Sequence, residues 1–184
     1  MNRRELLKMI TVATGTALVG GNSLLAFSAL GEPDRGFSDA DIERLNELAE
    51  TILPRTDTPG AKDAEVGAFM TVFVSACYTP QERSLFRHGL AQIEARSRAA
   101  HGRGFLELDD EQRRALVVEL DREAKAQVEA SGEPHYFTLM KQLTLFGFFT
   151  SEVGATQVLR YEATPGRYDG CTPYEEGEPA WATT

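Results

Sequence analysis

Tyr136-Phe137-Thr138-Leu139-Met140-Lys141-Gln142-Leu143-Thr144-Leu145-Phe146-Gly147-Phe148-Phe149 is a dense apolar run that carries a single charge, Lys141. Its apolar residues fall at helical spacing on more than one face, so the run predicts a central helix covered from several sides. Ser131-Gly132-Glu133-Pro134 stands just before it and ends the preceding element, since Gly closes a helix and Pro cannot continue one. That preceding element starts at Asp109, an N-cap with Gln112 at the third helical position, and buries Leu116, Val117, Leu120, Ala124 and Val128.

The same start signal recurs further out. Thr79-Pro80-Gln81-Glu82 gives a Thr cap, Pro at the first helical position and Glu at the third. The helix it opens carries Leu85, Phe86, Leu90 and Ile93 to about Ala100 and closes on His101-Gly102-Arg103-Gly104. Ser38 caps a first helix with Asp41 at the third position and a Phe37–Ile42 staple. Its stripe is Ile42, Leu45, Leu48, Ala49 and Ile52, and Pro54 ends it. A second helix is expected over residues 62–76, and a short last one over 151–159 with Ser151 as its cap. Alternation never runs longer than Val72-Phe73-Val74, and no solenoid repeat is present. The fold is therefore all-α, a small helical bundle of about five to six helices with an irregular C-terminal arm. The bundle occupies residues 32–160, between a leader at 1–31 and the arm at 161–184.

Composition sets limits on function. At 184 residues, 42% of them apolar and 26% charged, the chain is globular and builds one core. It is too short for a dinucleotide-binding domain joined to a substrate domain. The formal charge of -9 repels phosphate backbones, which removes nucleic acid as a partner. His88, His101 and His135 lie on separate segments without ligand spacing, so neither a metal site nor a resident cofactor is expected. Ser75, Cys77 and Ser151 lack the elbow of a nucleophile, and the carboxylates between Glu107 and Glu111 suit a helix cap better than acid–base catalysis. No catalytic residue is expected.

Arg3 and Arg4, followed by Leu6, Leu7 and Lys8, precede residues 9–30, which carry no charge but are diluted by Gly, Thr and Ser. This is the layout of a twin-arginine (Tat) export signal. It places the protein in the periplasm by way of the Tat translocase, with the segment either cleaved near Ala29 or kept as an anchor.

The arm holds Pro165, Gly166, Gly170, Pro173, Gly177 and Pro179 with Tyr161, Tyr168, Tyr174 and Trp181 set among them. A structureless stretch of that length signals function or disorder, and aromatic anchors favour docking to a partner. Arg160 and Arg167 add forked donors. The expected partner interface is therefore Phe146, Phe148, Phe149, Arg160, Tyr161, Arg167, Tyr168, Tyr174 and Trp181. Cys77 and Cys171 admit three states: one bridge pinning the arm to the bundle, a bond from Cys171 to another subunit, or two free thiols.

A resemblance ties these parts together. Ile52-Leu53-Pro54-Arg55-Thr56-Asp57-Thr58-Pro59-Gly60-Ala61, Asp63-Ala64-Glu65-Val66, Leu145-Phe146-Gly147-Phe148-Phe149-Thr150-Ser151-Glu152-Val153-Gly154-Ala155, Arg160-Tyr161 and Pro165-Gly166-Arg167-Tyr168-Asp169-Gly170-Cys171 resemble the gluconate 2-dehydrogenase subunit 3 family. The resemblance implies a non-catalytic, cofactor-free small subunit. Its partner would be a large FAD-dependent flavoprotein of the glucose-methanol-choline type, commonly joined by a cytochrome c subunit whose haem c passes electrons onward. The large subunit oxidises a sugar, sugar acid or glycoside. The small one stabilises it and escorts it through Tat export, and the complex is associated with the inner membrane. Two other readings are a small periplasmic enzyme using Glu152 or Asp169, and a stand-alone binding protein with a surface of Phe146, Phe148 and Phe149.

Overall fold

A computed structural model describes residues 36–182 apart from 165, 168, 169, 172 and 174. The leader with Arg3 and Arg4, and Tyr168, Asp169 and Tyr174 of the arm, lie outside the described residues. Five α-helices follow in chain order: α1 Asp39–Ile52, α2 Val66–Cys77, α3 Pro80–His101, α4 Asp110–Ser131 and α5 Tyr136–Phe149. A 3₁₀ turn, Phe105–Glu107, separates α3 from α4, and a wide π turn, Gly154–Val158, follows α5. The described residues contain no strand, so the all-α bundle read from the sequence is what forms.

Local chemistry accounts for the helix starts. Ser38, Thr79 and Asp109 each accept from the backbone N–H three residues on, and Asp41, Glu82 and Gln112 reach back to the cap N–H groups. The α2 start is a correction, because residues 62–65 are not helical. Glu50 of α1 accepts from the N–H groups of Arg55 and Lys62, both at 2.8 Å. Asp63 takes the N–H of Gly60 at 2.9 Å, and its carboxyl is held below the ordinary range by that backbone bond and by Arg55. These tertiary bonds keep the segment as a turn, Glu65 goes left-handed at φ 49°, and α2 begins at Val66.

Helix α5 touches each of α1 to α4, so it is central as its composition requires. Phe137, Met140 and Phe148 of α5 are buried with Leu45, Leu48, Met70, Phe86, Ile93, Phe105 and Leu120. Each such side chain contributes about 1.5–3 kcal/mol on leaving water. Polar bonds then fix the layers. Arg113 of α4 donates to Glu47 of α1 at 2.8 Å and to the carbonyl of Leu106 at 2.9 Å. Lys141, the lone charge of α5, reaches Asp121 of α4 at 2.6 Å, and Lys125 and Lys141 together hold the Asp121 carboxyl low.

The last turn departs from the plain helix expected over 151–159. Ser151 does accept from the N–H of Gly154 at 3.0 Å, but the chain then widens, with Leu159 N–H donating to the carbonyl of Gly154 at 3.0 Å. A Cβ at Gly154 would stand 2.0 Å from the carbonyl oxygen of Phe148, so only glycine lets the chain reverse this tightly after α5. No helix among the described residues is long and apolar enough to cross a membrane.

Candidate partner interface

Helix α2 has the sequence VGAFMTVFVSAC, without one charged residue. Val66, Gly67, Met70 and Val74 turn inward, which leaves Phe69, Val72, Phe73 and Ala76 on the other face at helical spacing. Val72 is 59% exposed there. The second half of α5 behaves alike: Leu145 and Phe146, with Phe149 one turn on, are 39%, 48% and 37% exposed. The two faces are continuous, because the ring of Phe146 lies 5.8 Å from that of Phe69 and 5.6 Å from that of Phe73. Phe73 passes the contact edge-on to Tyr78 at 5.8 Å, and Tyr78 to Phe86 at 6.4 Å, so the surface is rooted in the core.

This surface is apolar, preformed by two packed helices and free of charge along both faces. Isolated exposed hydrophobics are ordinary, whereas a contiguous aromatic and aliphatic patch on a strongly acidic chain makes this face the candidate interface. Packing a partner on it would remove apolar area from water with no charge to desolvate. Of the three phenylalanines expected to meet a partner, Phe146 and Phe149 are placed to do so. Phe148 is not, because it is 1% exposed and packed inside beneath Phe149 at 5.2 Å. Val72 and Leu145 belong to the surface and were missed. The signal was a twelve-residue helix with no polar face, which a bundle of this size cannot bury all round.

The two ends of the arm are tied to each other. Arg160 does not extend its fork outward: it donates from Nε to the carbonyl of Pro179 at 2.9 Å and pairs with Glu178 at 2.9 Å. Tyr161 and Trp181 are 51% and 43% exposed, and Arg167 is exposed. Cys77, at the end of α2, and Cys171, in the arm, are both exposed with free thiols.

The remaining candidates stay apart. His88 and His101 are exposed, while His135 is buried as the N-cap of α5. No group of three His, Cys, Asp or Glu among the described residues is placed to hold a metal. Glu107 and Asp109 accept from backbone N–H groups at 2.8 and 2.9 Å, which makes them caps. Glu152 is exposed. A shallow depression at the start of α3 is lined by Pro80, Gln81, Ser84, Leu85 and His88, with His88 its single titratable group.

Comparison with known proteins gives one match. The family model described as gluconate 2-dehydrogenase subunit 3 matches residues 39–166, which takes in all five helices and the turn after α5. No curated protein and no solved structure matches the chain.

Proposed function

The chain belongs to the gluconate 2-dehydrogenase subunit 3 family, and from that premise we propose that it is the non-catalytic accessory subunit of a periplasmic, FAD-dependent dehydrogenase complex. Membership of a family of dehydrogenase subunits carries the reading, and the α2/α5 face supports it with a surface suited to a larger protein. In this reading the flavin belongs to a large subunit of the glucose-methanol-choline type, which oxidises a sugar, sugar acid or glycoside. A cytochrome c partner takes the electrons onward through haem c. The small subunit does two things. Its apolar face covers a matching apolar surface on the flavoprotein and so stabilises it by mass action. Its twin-arginine leader then carries the folded pair through the Tat translocase, so that one signal exports two chains.

The leader supplies the decisive test. Replacing Arg3→Lys together with Arg4→Lys removes the signal without touching residues 36–182. Both this chain and the flavoprotein should then remain in the cytoplasm, and dye-linked sugar dehydrogenase activity should vanish from the periplasmic fraction. Undiminished periplasmic activity in the double variant would refute the escort role.

A further inference from the structure

Arg160 makes five interactions that all point to one place. Its backbone N–H donates to the carbonyl of Ala180 at 2.8 Å, and its carbonyl accepts from the N–H of Ala182 at 2.8 Å, forming an isolated bridge to Trp181. Its Nε donates to the carbonyl of Pro179 at 2.9 Å, its Nη2 meets Glu178 Oε2 at 2.9 Å, and its guanidinium carbon sits 4.7 Å over the ring of Trp181. Glu178 is itself set by a turn, since its N–H donates to the carbonyl of Glu175 at 3.1 Å. One residue thus joins the two ends of residues 161–180. Closing a segment of that length is opposed by chain entropy, and the described residues of the arm hold no helix or strand to offset it. The bonds gathered on Arg160 do so instead.

We propose that Arg160 is the clasp of the C-terminal arm, a positioning residue that holds residues 161–180 as a closed loop in the free subunit and sets the exposed Tyr161 and Trp181 at its base for docking. The docking half rests on the accessory-subunit reading, with the large dehydrogenase subunit as the partner; the closure half does not. A loop already closed loses less freedom when it binds, so the clasp strengthens the complex without contributing a contact of its own. Trp181 is one residue of the bridge and Tyr161 follows the other, so both exposed aromatics stand at the junction that Arg160 ties.

The test uses the full chain, free and with its flavoprotein. In the free chain, Arg160→Ala should speed hydrogen exchange across residues 160–182 by about tenfold, the scale expected when an ion pair and a cation–π contact are lost together. Protection in α1 to α5 and the thermal midpoint should stay put. Arg160→Lys keeps the charge facing Glu178 but not the Nε–H to Pro179, and should fall between. Glu178→Gln tests the ion pair without altering Arg160, should the first variant fold poorly. Affinity for the flavoprotein should drop by about tenfold in Arg160→Ala. Unchanged exchange in Arg160→Ala and Glu178→Gln would overturn the clasp. Faster exchange with unchanged or tighter binding would overturn its part in docking. A wild-type chain that binds no flavoprotein would refute the accessory reading, while the exchange result would still decide the closure.

Discussion

His135 caps α5 with a ring nitrogen, an unusual choice for that position. Its Nδ1 accepts from the N–H of Phe137 at 3.2 Å, and the ring lies 4.0 Å from that of Tyr136. An accepting Nδ1 is an unprotonated one. Burial pushes the His135 pKa below its ordinary 6.5; Arg96 acts in the same direction, and Glu123 opposes them. The unfolded chain therefore binds this proton more readily than the folded one. The stability His135 contributes is complete above pH 6.5 and is lost as pH falls from there through the lowered folded value. Glu123, held low by its bond to Arg96, shifts stability only at more acid pH, below its ordinary 4.5. The thermal midpoint of the wild type should thus drop between pH 7 and pH 5, by an amount corresponding to loss of a cap, about 1 kcal/mol. His135→Asn, which can cap without titrating in this range, should flatten that part of the profile. An identical slope in the two proteins would show that His135 is not the titrating group.

At the scale of elements, α1 and α2 approach closely at Gly67. Gly67 donates its N–H to Asn46 Oδ1 at 2.8 Å, and a Cβ on it would lie 2.6 Å from the carbonyl oxygen of Ile42 and 2.7 Å from the backbone nitrogen of Asn46. Backbone atoms cannot swing aside as a side chain does, so Gly67→Ala must push the helices apart. Overpacking of this kind destabilises by about 1–3 kcal/mol. Urea unfolding should show a lower midpoint at unchanged slope, and a variant as stable as the wild type would mean that the helices do not meet so closely. The same helix pair explains the misplaced start of α2. Its turn is held by Glu50 on another helix, which no local capping rule includes.

For the molecule as a whole, the apolar face is an outer layer on the core, since Phe69, Phe73 and Tyr78 pack against both. Phe146 and Phe149 are 48% and 37% exposed, so Phe146→Asp with Phe149→Ser removes surface and leaves the buried Phe148 in place. The double variant should keep its helical circular dichroism, with a lowered thermal midpoint because the ring contacts of Phe146 to Phe69 and Phe73 and of Phe149 to Phe148 are lost. It should no longer co-purify with the flavoprotein. Full co-purification would move the interface away from α2 and α5.

Sequence by itself determined the all-α class, four of the five helix starts and the irregular arm, because caps, breakers and the 3.6-residue period act within a few residues of one another. The family motifs were legible for the same reason, as contiguous words. Only the tertiary structure decided which phenylalanine of α5 faces out. Phe146, Phe148 and Phe149 are equally apolar, and their separation depends on where α1 to α4 lie around the helix. It decided also that Arg160 turns back on residues 178–182. These outcomes bring together residues distant in the chain, and the free energy that selects them comes from packing and loop closure, which no local pattern encodes.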